Sequence, residues 1–147
     1  MSGIELNYEG LDNHKPYLFE LGHVVMTAGL SAWAEESFPP ALLRNRAWAT
    51  ALINAHATGV WEHMDPFDAK QNRLSIEHEQ RKNDLPEGEY DPQRIFSHYT
   101  ICGKKIYVIT DWDKCVTTLI FKHEYKYYIR TCPRTGFFLP CECVSKT

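Results

Sequence analysis

The sequence predicts an α+β fold in which N-terminal helices pack on a C-terminal antiparallel sheet of four to five strands. Between residues 97 and 122, β-branched and aromatic residues alternate with polar ones at the period of two that short strands show. Between residues 42 and 56, apolar residues recur at helical spacing instead. The chain has 147 residues, of which 44% are hydrophobic. We therefore predict a single domain over residues 1–147, with a mostly helical part at 17–93 and the sheet at 94–140.

The helical part begins with an apolar run at residues 17–26, which predicts a short strand, and continues with a short helix at 30–36. Paired prolines then break the chain and open a longer helix over residues 40–59. A further helix runs from Pro66 to about residue 82, because Asp65 is a good N-cap and proline is favoured at the first helical position.

The sheet part contains turn signals at the expected places. Cys102 and Gly103 predict a tight hairpin between the first two strands, because glycine adopts a positive φ at no steric cost. Residues 111–114 predict a polar turn before the third strand. A fourth strand at 125–131 and a short fifth strand at 136–139 complete the prediction.

Charge is unevenly distributed along the chain, although the net charge is only −3. Residues 62–91 hold four Lys and Arg against nine Asp and Glu, whereas residues 92–147 hold nine against four. A basic sheet beside an acidic helical region could present a phosphate-binding face. The alternative is an ordinary set of solvated strands, because charge patterns bear on association and not on fold.

Location and cofactors follow from the absence of some signals and the weakness of others. No stretch of about 18 apolar residues and no signal peptide is visible, so we expect a cytoplasmic protein without a membrane segment. Five cysteines are an odd number, which favours reduced thiols. Cys132, Cys141 and Cys143 could bind zinc with His123, but they lack the paired C-x-x-C spacing of a convincing site, so we predict no metal and no cofactor.

Four motifs occur in a recognisable order: FELGHVVMTAG at 19–29, HATGVWEHMDPFDAKQN at 56–72, FSHYT at 96–100 and KIYVITDWDKCVTTLIFKHEY at 105–125. This order resembles a mostly uncharacterised family of small proteins of plasmids, integrative elements and phages. Its members read roughly F-E-L-G-x-V-V-x-T-x-G, H-x-x-G-D-W-G, N, S-x-Y and W-I-I-T-E-x-D-R-S-x-T-T-x-L-L-P-E-E-Y. The resemblance implies an accessory protein of a mobile element, and it brings no established activity with it.

This chain departs from the family pattern at three places. Val60 and Glu62 replace the acidic residue and the glycine that flank Trp61. Lys114 and Cys115 stand where the family has Arg-Ser, and Lys122 and His123 stand where it has Pro-Glu. If the Arg-Ser pair is catalytic in relatives, this member is weakened or repurposed.

The predicted order of helices followed by an antiparallel sheet also resembles the barnase, EndoU, colicin and RelE-like nuclease group. That likeness implies a domain that binds or cleaves RNA without a metal. Such cleavage needs a base, an acid and donors for the developing negative charge. The candidate catalytic residues are His56, Lys114 and Thr118, and the candidate RNA-binding residues are Lys104, Lys105, Tyr99 and Arg130.

Each candidate has a structural alternative. His56 lies on a partly apolar helix, where a histidine more often packs or caps than catalyses. Thr117 and Thr118 point to opposite faces of a strand, so at most one of them can face a cleft. The alternative function is a non-catalytic inhibitor that binds a host defence or regulatory complex through an acidic or aromatic surface. The two functions differ in whether His56, Lys114 and Thr118 converge on one open cleft.

Overall fold

A computed structural model describes residues 16–81, 83–86, 88 and 93–125, and the backbone of residues 141–145. Four α-helices, two short 3₁₀-helices and five strands lie in this part of the chain. In chain order they are β1 (His23–Thr27), α1 (Ala28–Ser37), α2 (Pro40–Leu43), a 3₁₀-helix (Arg44–Arg46), α3 (Ala47–Ala57), α4 (Pro66–Gln80), β2 (Ile95–Ile101), β3 (Lys104–Thr110), β4 (Val116–Phe121), a second 3₁₀-helix (Lys122–Glu124) and β5 (Cys141–Ser145).

The five strands form one mixed sheet in the order β2-β3-β4-β1-β5. The α+β prediction is confirmed, and β2, β3 and β4 form the expected antiparallel meander. The prediction of an antiparallel sheet needs one correction, because β1 runs parallel to β4 while it pairs antiparallel to β5. The helices α1 to α4 connect β1 to the meander, and such a long connection allows the parallel pairing that a short turn forbids.

The local turn and cap predictions agree with the structure at two places. Cys102 and Gly103 have φ angles of 50° and 76°, the positive values that a two-residue type I′ hairpin requires. Asp65 caps α4, since its carboxylate accepts a hydrogen bond of 2.8 Å from the Phe67 amide. The predicted helix over residues 40–59 is instead broken into α2 and α3. Asn45 and Arg46 cause this break, because both adopt a left-handed backbone, with φ of 54° and 53°.

The C-terminal strand predictions differ in how far the structure covers them. Tyr125 follows the second 3₁₀-helix, and the rest of the predicted strand at 125–131 lies outside the described residues, as does the predicted strand at 136–139. The edge strand β5, which pairs with β1, was not predicted.

Helices α1 and α3 cover one face of the sheet and form the main core with it. The side chains at the centre of this core include Met26, Leu30, Trp48, Leu52 and Leu119. The opposite face carries a smaller apolar cluster, in which Phe96, Tyr107 and Tyr125 pack against Ile109 and Ile120. Burial of each large apolar side chain stabilises the fold by about 1.5–3 kcal/mol. The main core therefore holds α1 and α3 on the sheet, and the smaller cluster packs Tyr125 against the meander.

Helix α4 covers the outer edge of β2. The Asn72 side chain donates to the Phe96 carbonyl at 2.6 Å and accepts from the Phe96 amide at 3.0 Å, as a neighbouring strand would. Ser75 donates to the Gln93 carbonyl at 2.6 Å, and His63 Nε2 donates to the His98 carbonyl at 2.5 Å. These bonds satisfy backbone amide and carbonyl groups of the edge strand and block its pairing with another chain.

None of the helices in the described residues has the length and apolar character needed to cross a membrane.

Candidate functional site

His56 lies at the centre of a chain of buried hydrogen bonds between α3 and the sheet. Its Nδ1 atom is 2.5 Å from Ser97 Oγ, and its Nε2 atom is 2.9 Å from Thr110 Oγ1. Thr110 Oγ1 is 2.7 Å from Thr117 Oγ1, which donates to the Leu21 carbonyl at 2.7 Å. Four polar side chains from one helix and three strands therefore form one continuous network.

The donor and acceptor of each hydrogen bond in this network can be deduced by starting at its last bond, from Thr117 to the Leu21 carbonyl. Thr117 gives its single hydroxyl proton to the Leu21 carbonyl, so it accepts from Thr110. Thr110 therefore accepts from a protonated His56 Nε2, which leaves Nδ1 free to accept from the Ser97 hydroxyl. A neutral imidazole thus satisfies every hydrogen bond in the network.

The surroundings of His56 keep the imidazole neutral. The side chain has 0% exposure, and the Phe19 ring packs against it edge-on at a centroid distance of 5.3 Å. Burial lowers the pKa of His56 to about 3, because the charged form loses its hydration. A neutral, solvent-inaccessible imidazole cannot donate a proton to an RNA substrate, so the geometry assigns His56 to the fold.

Thr118 and Lys114 do not join His56 in an open cleft. Thr118 pairs with Ile109 and points to the opposite face of the sheet from Thr117, with 1% exposure. Lys114 is 6% exposed, and its Nζ atom donates to the carbonyls of Trp112 at 3.1 Å and Gln93 at 3.4 Å. Burial lowers the pKa of Lys114. The structure therefore places the three predicted catalytic side chains in separate buried positions, with His56 and Thr118 on opposite faces of the sheet and Lys114 in the β3–β4 loop.

The four predicted RNA-binding residues differ in where they lie. Tyr99 is fully buried and donates to the Val60 carbonyl at 2.9 Å, so it cannot stack on a base, and burial raises the pKa of its hydroxyl. Lys104 and Lys105 lie at the surface near the β2–β3 hairpin, where they line a groove. Arg130 lies outside the described residues.

This groove is the most promising open site in the described part of the chain. It has a volume of about 580 Å³. Its lining residues come from the start of β3, the end of β4 and the adjoining 3₁₀-helix: Gly103, Lys104, Lys105, Tyr107, Phe121, Lys122, His123 and Tyr125. We call it the basic groove, because four of these side chains are Lys or His and none is Asp or Glu.

The antiparallel register of β3 and β4 explains how the groove forms. Ile106 pairs with Phe121, so the lysines that begin β3 lie across from Lys122 and His123. The His123 ring stacks on Phe121 at 5.1 Å, with an interplanar angle of 21°. Two strand ends that are 16 residues or more apart in sequence thus supply one positively charged surface.

Glu124 lies next to the groove, but its carboxylate is engaged elsewhere. Glu124 Oε1 accepts from Thr27 Oγ1 at 2.8 Å and from the Phe121 amide at 3.1 Å. Thr27 is the N-cap of α1, so the carboxylate also lies near the positive end of that helix dipole. The Glu124 carboxylate is therefore bound to α1 and β4, and Glu124 is not among the residues that line the groove.

His98 reports the positive potential in this region. The pKa of His98 is lowered to about 4, chiefly by burial and in smaller part by the nearby charges of Lys105, His63 and Lys122. Lys105 and Lys122 are thus close enough to disfavour another positive charge on the same face, and an anionic ligand would relieve that repulsion.

The sequence indicated two of the eight lining residues, Lys104 and Lys105, as RNA-binding candidates. Lys122 and His123 were noted as departures from the family pattern, His123 also as a possible zinc ligand, and Tyr107 and Tyr125 were not proposed as site residues. For Lys122 and His123 the signal was the register of β3 and β4, because the pairing of Ile106 with Phe121 brings these two positions opposite Lys104 and Lys105. Tyr107 is two residues from Lys105 on the same strand, so the two share a face. No three His, Cys, Asp or Glu side chains among the described residues are grouped to hold a metal. Cys132 and the side chains of Cys141 and Cys143 lie outside that description.

Comparison of the chain with models of protein families, with curated proteins and with solved structures found no match. The resemblance to proteins of mobile elements stays a prediction. A functional proposal therefore depends on the geometry and charge of the basic groove.

Proposed function

We propose that this protein binds RNA in the basic groove without cleaving it, as an accessory protein of a mobile element. The observation that carries the proposal is the lining of the groove, where three lysines and His123 lie beside two tyrosines. Lysines that contact phosphates release counterions, and this term supplies most non-specific nucleic-acid affinity. A groove of this kind is expected to bind with a Kd of about 10⁻⁴–10⁻⁶ M at physiological salt.

The same lining argues against cleavage. Metal-independent cleavage near neutral pH needs one group to accept a proton and another to donate one. His123 supplies a single imidazole to the groove. His56, the histidine of the predicted catalytic set, is buried between α3 and the sheet. The described residues therefore favour binding over catalysis.

Charge reversal in the groove tests this function. We expect Lys104→Glu with Lys122→Glu to weaken binding of a labelled single-stranded RNA about tenfold or more at low salt, because two phosphate contacts become repulsive. Fluorescence anisotropy measures the affinity, and a gel of the same samples should show intact RNA. The control is Lys70→Glu with Arg73→Glu, which makes the same charge change on the exposed side of α4. Equal losses in both double variants, or no binding by the wild type, would refute the proposal.

A second function has its own supporting observation, the exposed Trp112. This side chain is 53% exposed on the β3–β4 loop. The Lys114 ammonium donates to the Trp112 carbonyl, the Asp113 carboxylate accepts from the Cys115 amide at 3.1 Å, and the Asp111 backbone amide donates to the Val116 carbonyl at 2.9 Å. A fixed loop that presents a tryptophan is typical of a protein-binding hot spot. It supports the alternative of an inhibitor that binds a host defence complex.

Trp112→Ala distinguishes the two functions. If the protein acts as an inhibitor, affinity purification from host cells should recover a stoichiometric partner with the wild type and lose it with Trp112→Ala, because truncating a hot spot costs about 2 kcal/mol or more. The control is Phe67→Ala on α4, where the side chain is 65% exposed. RNA affinity should be the same in all three proteins. A partner retained by Trp112→Ala would exclude the loop as its binding site.

A further inference from the structure

The two tyrosines that line the basic groove, Tyr107 and Tyr125, belong to an aromatic cluster. Tyr125 packs on Tyr107 in a T-shaped contact at 5.2 Å, and Tyr107 packs on Phe96 in a second T-shaped contact at 4.8 Å. Tyr125 also lies 6.3 Å from Phe96. Of these three rings, those of Tyr107 and Tyr125 line the groove, and Phe96 packs against them without reaching the lining.

Arg94 holds this cluster from outside the groove. Its guanidinium carbon lies 5.4 Å from the centroid of Phe96 and 5.5 Å from that of Tyr125. Arg94 Nη1 also donates a hydrogen bond to the Tyr125 hydroxyl. Arg94 is absent from the groove lining, so its contact with the groove passes through the Tyr125 ring.

We infer that the groove takes a single-stranded RNA segment with an unpaired base against Tyr107 and Tyr125, and that Arg94 positions the Tyr125 ring for this contact. The inference rests on the proposed RNA-binding function and specifies its ligand. In this proposal the three lysines of the lining contact phosphates, and the rings of Tyr107 and Tyr125 in the same lining contact a base. Aromatic stacking of this kind tolerates any base.

The dimensions and the chemistry both favour a single strand over a duplex. A volume of about 580 Å³ is that of a small-molecule site, and it suits one or two nucleotides. In an A-form duplex the bases are stacked and paired, so only the backbone and the groove edges could reach the tyrosines. A duplex would therefore use the lysines and lose the aromatic contacts.

Binding assays with three probes test the ligand class: a single-stranded 12-mer RNA, a blunt duplex of the same length, and inorganic polyphosphate as a competitor. We expect the wild type to prefer the single strand over the duplex about tenfold, and polyphosphate to compete weakly. Tyr125→Leu should weaken single-strand binding about 5- to 100-fold, which is the range for one stacked base. Its slope of log K against log salt should not change, because no phosphate contact is lost.

Arg94→Lys tests the positioning role, because it keeps the charge and removes the planar guanidinium fork. We expect a smaller loss of single-strand affinity, again with an unchanged salt slope. Tyr125→Phe keeps the ring and removes the hydroxyl that Arg94 binds, so it should lose as much single-strand affinity as Arg94→Lys does. The control Trp112→Leu removes an exposed aromatic ring outside the groove and should have no effect. If Tyr125→Leu does not fold, the Arg94→Lys and Tyr125→Phe pair still decides the question.

The outcomes distinguish a failure of this inference from a failure of the proposed RNA-binding function. Equal affinity for the single strand, the duplex and polyphosphate would show a phosphate site without a base contact, and would overturn the inference while RNA binding stands. A reduced salt slope in Arg94→Lys would make Arg94 a phosphate contact and overturn its positioning role. Absence of wild-type binding to every probe would overturn the proposed function itself.

Discussion

Gly22→Ala should lower the free energy of unfolding by about 3 kcal/mol or more. Gly22 has a φ of +66°, which costs an L-residue about 1–2 kcal/mol. A Cβ atom built there would lie 2.3 Å from the carbonyl carbon and oxygen of Cys115 and 2.6 Å from the Lys114 carbonyl oxygen. These are main-chain atoms, so they cannot rotate away as a flexible side chain would. The backbone must separate, which threatens the 2.9 Å bond from the His23 amide to the Cys115 carbonyl.

Urea unfolding followed by circular dichroism measures this loss, and Gly103→Ala is the matched control. Gly103 also has a positive φ, of +76°, but no atom lies within 4 Å of its virtual Cβ. The control variant carries the conformational cost without the steric one, so we expect a loss of about 1 kcal/mol. Equal losses in the two variants would contradict the close approach of β1 to the β3–β4 loop.

Gly22 shows why the sequence motifs suggest chemistry that the structure places elsewhere. The glycine of FELG meets the β3–β4 loop, and the threonine of the same motif, Thr27, bonds Glu124 of the last motif. His56 and Ser97, from two further motifs, bond each other inside the network. Motif residues that lie far apart in the sequence thus meet to join β1, the helices and the meander. The motif residues therefore lie at contacts between these elements of the fold.

The successful predictions depended on local physics. The Asp65 cap, the Cys102–Gly103 turn and the alternation in β2 to β4 each follow from a few neighbouring residues. The parallel pairing of β1 with β4 and the hydrogen bonds of His56 to Ser97 and Thr110 depend on how remote segments pack, so neither has a local signal. The basic groove falls between these cases, because the lysines were visible in the sequence while their neighbours across the strand pair depended on register.

Acid should destabilise this protein through His56, beginning below about pH 6.5. The folded pKa of about 3 lies below the unfolded value of about 6.5, so protons bind the unfolded state more strongly. The contribution of neutral His56 is complete above pH 6.5 and is lost progressively as the pH falls toward 3. One such site lowers the free energy of unfolding by about 2 kcal/mol between pH 7 and pH 5.

His56→Gln removes the titration and keeps an acceptor and a donor for the network around Ser97 and Thr110. We expect lower stability than the wild type at pH 7, because the amide fits less well, and a pH dependence between 7 and 5 that is about 2 kcal/mol smaller. Urea unfolding at several pH values measures both, with the exposed His123→Gln as the control. If the free energy of unfolding of His56→Gln depends on pH as strongly as that of the wild type, another group causes the acid sensitivity. If instead the slope is lost while folded His56→Gln binds RNA normally, the buried histidine serves the fold and the groove serves binding.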